Sequence, residues 1–75
     1  MKDIDYGHVE IKLKEIMESQ DISINKLACR AEMQRTQLKK YINNNVQRVD
    51  FAILSRLCYC LDCDLNDILV YVKDE

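Results

Sequence analysis

Between residues 30 and 48 the chain sets Arg30, Arg35, Lys39, Lys40 and Arg48 against a single acid, Glu32. Interleaved with them are Gln34, Thr36, Gln37, Asn43 and Asn44. Guanidinium and ammonium groups donate to anionic oxygens, and Arg, Lys and Thr side chains can match the donor and acceptor pattern of base edges. The chemistry this set offers is recognition of a polyanion. Catalysis has little to stand on, since His8 is the one histidine and Ser19, Ser23 and Ser55 have no base placed beside them. No Gly-rich phosphate loop occurs, so no enzyme, cofactor or small-molecule substrate is expected.

Taken whole, 75 residues with 11 basic and 13 acidic side chains give a net charge of −2, which argues against a polycation that coats nucleic acid. The distribution differs sharply along the chain. Residues 1–29 sum to −2, residues 30–48 to +4 and residues 49–75 to −4. The length suits one small domain spanning 1–75. One Gly and no Pro leave little chemistry for tight hairpin turns, so the expected class is all-α. No apolar run long enough to span a bilayer and no export signal are seen, which implies a soluble cytoplasmic protein without a membrane partner.

Cys29, Cys58, Cys60 and Cys63 lie in sequence that otherwise reads as helix, and are expected to be reduced thiols. A zinc site built on the last three is resisted by geometry. On one helix Cys58 and Cys60 lie about 160° apart around the axis and do not converge on an ion. Cys58 reads as a small core residue, Cys63 as a buried residue at a helix end and Cys60 as the exposed thiol, so no metal is expected.

The elements that position the basic window follow from periodicity. Val9, Leu13, Ile16 and Met17 mark an amphipathic helix of about residues 8–19. Asp21 suits a left-handed cap, and Ser23 can N-cap a short helix from Ile24 to about Arg30 that buries Leu27 and Ala28. A third helix buries Leu38, Tyr41 and Ile42. Thr36, Lys39, Lys40 and Asn43 point outward, with Arg35 and Gln37 on the flanks. Asn43-Asn44-Asn45 ends it. Asp50 caps a fourth helix with a stripe of Leu54, Leu57, Cys58 and Leu61. A last short helix, capped by Asp64, buries Leu65, Ile68 and Leu69 and ends near Asp74-Glu75. Met17 and Met33 are expected in the core.

Two short helices joined by a tight turn, the second polar and basic outward, form a helix-turn-helix candidate at about residues 23–43. The run Ser23-x-x-x-Leu27-Ala28, five further residues, Gln34-Arg35-Thr36-Gln37-Leu38 and then Asn43 resembles the lambda repressor/Cro-type (XRE-like) family of small bacterial and phage regulators. Leu13-Lys14-Glu15-Ile16-Met17 upstream, and Leu57-Cys58, Leu61-x-Cys63-Asp64 and Asp67-Ile68-Leu69 downstream, extend the likeness over nearly the whole chain. The resemblance implies a five-helix domain that binds double-stranded operator DNA through its third helix, as a homodimer on a palindromic site. The sequence departs from the family pattern at Glu32, where Gly is common, at Gln34, where Ser or Thr is common, and at Asn43-Asn44, where Asn-Gly is usual.

In this frame Arg35, Thr36 and Lys40 are the candidate base-contacting residues. Gln34, Lys39, Asn43, Asn44, Arg48, Ser23, Asn25 and Lys26 are candidates for the DNA backbone. Leu69-Val70-Tyr71-Val72 and the fourth helix offer the best apolar surface for a second copy. An alternative function is a protein-interaction module of the same fold, antitoxin-like or anti-repressor in kind, with weak or no DNA binding; Glu32 and the acidic balance favour it.

Overall fold

The computed structural model describes residues 4–73. Its elements are β1 (His8–Ile11), α1 (Leu13–Gln20), α2 (Ile24–Arg30), α3 (Arg35–Ile42), α4 (Phe51–Leu61), α5 (Leu65–Ile68) and β2 (Leu69–Val72). The strands form one antiparallel pair, with His8 opposite Val72 and Ile11 opposite Leu69. The all-α expectation is therefore corrected to five helices plus a two-stranded sheet.

Both strands occupy sequence that also fits a helix. Val9 lies four residues before Leu13, which satisfies the helical period, but Val9 and Ile11 equally satisfy the strand period of two. With a partner available the β-branched pair takes the extended form, so the helix expected over 8–19 begins only at Leu13. Val9 is 61% exposed, while Ile11, Leu13 and Met17 are buried. The last helix is one turn, because Leu69-Val70-Tyr71-Val72 is a run of strand formers that pairs with β1. Ile68 is buried as expected, Leu69 is half-buried, and Leu65 is 49% exposed, contrary to expectation. The end placed near Asp74-Glu75 lies outside the described residues.

The central helices stand where periodicity puts them, and the chain ends them without glycine. Asp21, Glu32, Asn44 and Asp62 follow α1, α2, α3 and α4 and have φ of 53°, 55°, 59° and 52°. Asp and Asn tolerate this left-handed conformation better than other non-glycine residues; Glu32 has no such advantage. N-terminal ends are set by Ser23, whose hydroxyl accepts the Lys26 N–H at 3.1 Å, and by Asp50, whose carboxylate accepts the Ala52 N–H at 2.8 Å. Asp64 and Asp67 form a reciprocal capping box on α5.

Leu13, Leu27, Leu38, Leu57, Leu61 and Ile68, one or two from each helix, are the fully buried large side chains. Met17, Met33 and Tyr41 join the same core. Polar ties close it: the Tyr41 hydroxyl accepts the Asp50 N–H at 3.4 Å, joining α3 to the start of α4. Gln20 donates to the Leu61 carbonyl at 2.7 Å, joining the ends of α1 and α4. Among the described residues no helix is long and apolar enough to cross a membrane.

Candidate nucleic-acid interface

The geometry of α2 and α3 is set by the four residues between them. Ala31 and Met33 are buried, and the Met33 N–H returns to the Ala28 carbonyl at 2.9 Å. Glu32, between them, is exposed and takes the left-handed turn, at the position where the family commonly has glycine. Two apolar anchors flanking one outward, reversed residue fix the angle at which α3 leaves α2.

α3 buries Leu38 and Tyr41 and leaves Arg35, Thr36, Gln37, Lys39 and Lys40 exposed. Gln34 occupies the N-cap position with extended backbone and no side-chain cap bond, which leaves its amide available for another partner. Glu32, Gln34, Thr36, Gln37 and Lys40 line one open, polar hollow. Gln37, placed on the flank by sequence reasoning, thus joins the predicted Gln34, Thr36 and Lys40. The signal was its position one residue after Thr36, on the Lys40 side of the helix.

Arg35 is held from the neighbouring helix: its Nη1 donates to Asn25 Oδ1 at 3.1 Å. Asn25 therefore acts on the side chain best suited to guanine, a link that sequence spacing of ten residues does not announce. Ser23, Asn25 and Lys26 are exposed at the start of α2, and Lys39, Asn43 and Arg48 are exposed on and beyond α3. Asn44 differs. Its side-chain amide accepts the Ile11 N–H and donates to the Ile11 carbonyl at 3.0 Å, so it clamps β1 although the residue itself is exposed.

The basic side chains are not neutralised by their own surroundings. Among the described residues the ion pairs are His8–Glu10, Lys12–Glu10 and Lys12–Glu15, all at the junction of β1 and α1. There Lys12 and His8 hold the Glu10 carboxyl below its ordinary range, and Glu10 holds the Lys12 ammonium above its own. No described acid pairs with Arg35, Lys39, Lys40 or Arg48.

The cysteines build no centre. Cys29 is the exposed thiol, whereas Cys60, expected to be exposed, is half-buried with Cys58 and Cys63 against the core. Cys60 lines a hollow with Arg30 at the end of α2, Ala31 and Glu32 of the turn that follows it, and Arg56 of α4. Burial, and next the neighbouring Cys58, push the Cys63 thiol up, which keeps it protonated and unreactive. Among the described residues no His, Cys, Asp and Glu cluster could hold a metal ion.

In comparison with known proteins, the family model of the Cro/C1-type HTH DNA-binding domain matches residues 12–74. A search of curated proteins gives no match.

Proposed function

Since the chain belongs to the Cro/C1-type helix-turn-helix DNA-binding family, we propose that it is a sequence-specific transcriptional regulator working in the cytoplasm. In this reading α3 lies in the major groove of operator DNA. The observation that carries it is the convergence of Gln34, Thr36, Gln37 and Lys40 on one open hollow beside an Arg35 held by Asn25.

An α-helix fits the major groove, and its outward side chains must exchange hydrogen bonds with base edges. Arg35 pairs with guanine in two parallel bonds, its approach fixed by Asn25. Thr36 offers a hydroxyl or its methyl group, Lys40 reaches guanine, and Gln37 suits adenine. Gln34, Lys39, Asn43 and Arg48 meet phosphates on one side, and Ser23, Asn25 and Lys26 on the other. Asn44 supports the site indirectly, by tying the exit of α3 to β1. Two copies read the halves of a palindrome with α3 helices about 34 Å apart, one turn of B-DNA.

Selection of bound sequences from a random DNA pool tests this reading. A recovered two-fold-symmetric motif is expected, with affinity falling by a slope of about −0.9 per neutralised phosphate in log K against log salt. Recovery of no motif, with retention indifferent to salt, would overturn it.

A further inference from the structure

The two strands leave different edges. Ile11 directs both its N–H and its carbonyl to the Asn44 amide, so it faces away from β2, and Ile11–Leu69 is a pair whose backbone groups point outward. The neighbouring bonds agree with this phase: the Lys12 N–H reaches the Ile68 carbonyl at 2.7 Å, and the Leu69 N–H turns back to the Leu65 carbonyl. Because such pairs alternate along an antiparallel ladder, Val9–Tyr71 is outward-facing too. The outer edge of β1 is therefore plugged by Asn44 at Ile11 and flanked by His8 and the charged Glu10 and Lys12. The outer edge of β2 presents the Leu69 carbonyl, both backbone groups of Tyr71 and the Lys73 N–H. Among the described residues no backbone or side-chain bond to these groups is formed.

We propose that β2 pairs with β2 of a second copy, antiparallel about a two-fold axis at Tyr71, to give a four-stranded sheet across the dimer. This rests on the dimeric reading above and names its interface. The hydrogen-bond pattern is self-complementary: each Tyr71 N–H meets the other copy's Tyr71 carbonyl, and each Lys73 N–H meets the other Leu69 carbonyl. The side chains agree with it. Val70 falls opposite Val72 and Leu69 opposite Lys73, so no like charges oppose each other. The Tyr71 ring does not obstruct the edge, since it leans over Gly7 and its hydroxyl donates to the Tyr6 carbonyl at 2.6 Å. Leu69–Val72 carries no charge, proline or bulge, the features that blunt a strand edge.

The test titrates selected operator DNA and a single half-site, each with the full chain and with Tyr71→Pro. The Tyr71 N–H points away from β1, so proline at this position spares the β1 ladder; it removes the outward N–H together with the hydroxyl bond to the Tyr6 carbonyl. Half-site affinity is expected to stay within twofold, while cooperative binding to the operator disappears and its apparent Kd rises at least tenfold. Tyr71→Lys, which places two ammonium groups opposite each other, is expected to do the same and decides the matter if the proline variant fails on the half-site. Phe51→Asp, at the apolar hollow formed by Phe51, Leu54, Cys58 and Leu65, is expected to retain cooperativity. Cooperativity that survives both Tyr71 substitutions overturns strand pairing, and its loss in Phe51→Asp alone assigns the contact to α4. Half-site binding without cooperativity in the unsubstituted chain overturns the dimer, and absence of binding to either DNA overturns the DNA-reading proposal itself.

Discussion

The α2, turn and α3 unit, proposed as the reading unit, and the sheet of β1 and β2 are both small, and they are made in opposite ways. The first is built from neighbours: Ser23 caps at three residues, Met33 returns to Ala28, and the Arg35–Asn25 bond spans ten positions. The second joins residues about sixty positions apart, and its key clamp, Asn44 on Ile11, spans 33. Their surfaces differ as well. The reading unit exposes Gln, Thr, Arg and Lys, whereas the sheet region exposes Val9 and Tyr71, each at about 60%. The surface proposed to meet DNA holds polar groups in place without burying them, and the sheet uses apolar and backbone groups to join β1 to β2. Mutations should therefore separate recognition from stability along this division.

The largest separation is expected from Arg35→Ala with Lys40→Ala. Each lost base contact removes about 1–3 kcal/mol of discrimination, so the pair should cost about 2–6 kcal/mol on the best operator and relax its sequence preference. Both side chains are exposed, so thermal stability should move by no more than about 0.5 kcal/mol. Fluorescence anisotropy on operator and scrambled DNA, beside a thermal melt, checks this. Unchanged binding to the operator would place the reading face elsewhere.

The converse is expected at Asn44. Asn44→Ala leaves the Ile11 N–H and carbonyl without their partners at a half-buried position, at a cost of about 1–3 kcal/mol. It also puts alanine at φ 59°. Stability should fall while the base preference of bound sequences stays the same. A changed preference would mean that the Asn44 amide leaves Ile11 to meet DNA, and the two regions would not be separable.

This division also explains what was legible in the sequence. Ser23, Asp50 and Asp64 as caps, Asp21 as a reversed residue and Leu38 with Tyr41 as the buried side of α3 all follow from rules that act within a few positions. The outward placement of Thr36, Lys39 and Lys40 followed from the same period. Strands β1 and β2 did not, because four residues of a period-two pattern are also compatible with a helix until the partner is known. For the same reason nothing near Asn44 in the sequence showed that its amide bonds to a strand far off in the chain. Cys60 was misplaced by treating the polar side of α4 as open, although Arg56 on α4 reaches the Ala31 and Glu32 carbonyls of the turn after α2.

Glu32 belongs to both regions, since it shapes the turn and borders the reading hollow. Glu32→Gly relieves the left-handed strain, which should stabilise the fold by about 0.5–1 kcal/mol, and removes a negative charge from the hollow proposed to meet DNA. Glu32→Gln removes the charge and keeps the strain. Both should tighten DNA binding at low salt, but only the glycine should raise Tm. If Gln tightens nothing, the acid lies too far from DNA to matter, and the sequence departure at this turn concerns folding alone.

The smallest expected effect lies at the Glu10–Lys12 pair beside the sheet. The Lys12 ammonium, then His8, lower the Glu10 pKa from its ordinary 4.5, so its contribution is in force above that value and is lost as pH falls through the lower, folded-state pKa. The Lys12 pKa is raised from 10.5 by Glu10, so its share is in force below that value and is lost only as pH rises through the higher folded one. Between these limits the pair is constant, and at its exposed position solvent screens it. Glu10→Gln should accordingly shallow the acid limb of the Tm–pH curve and leave neutral Tm nearly unchanged, with added salt removing the remaining difference from the unsubstituted chain. Operator affinity should not respond at all. A drop in affinity with this substitution would join the β1–α1 junction to the reading face, through the same Ile11–Asn44 clamp that closes the exit of α3.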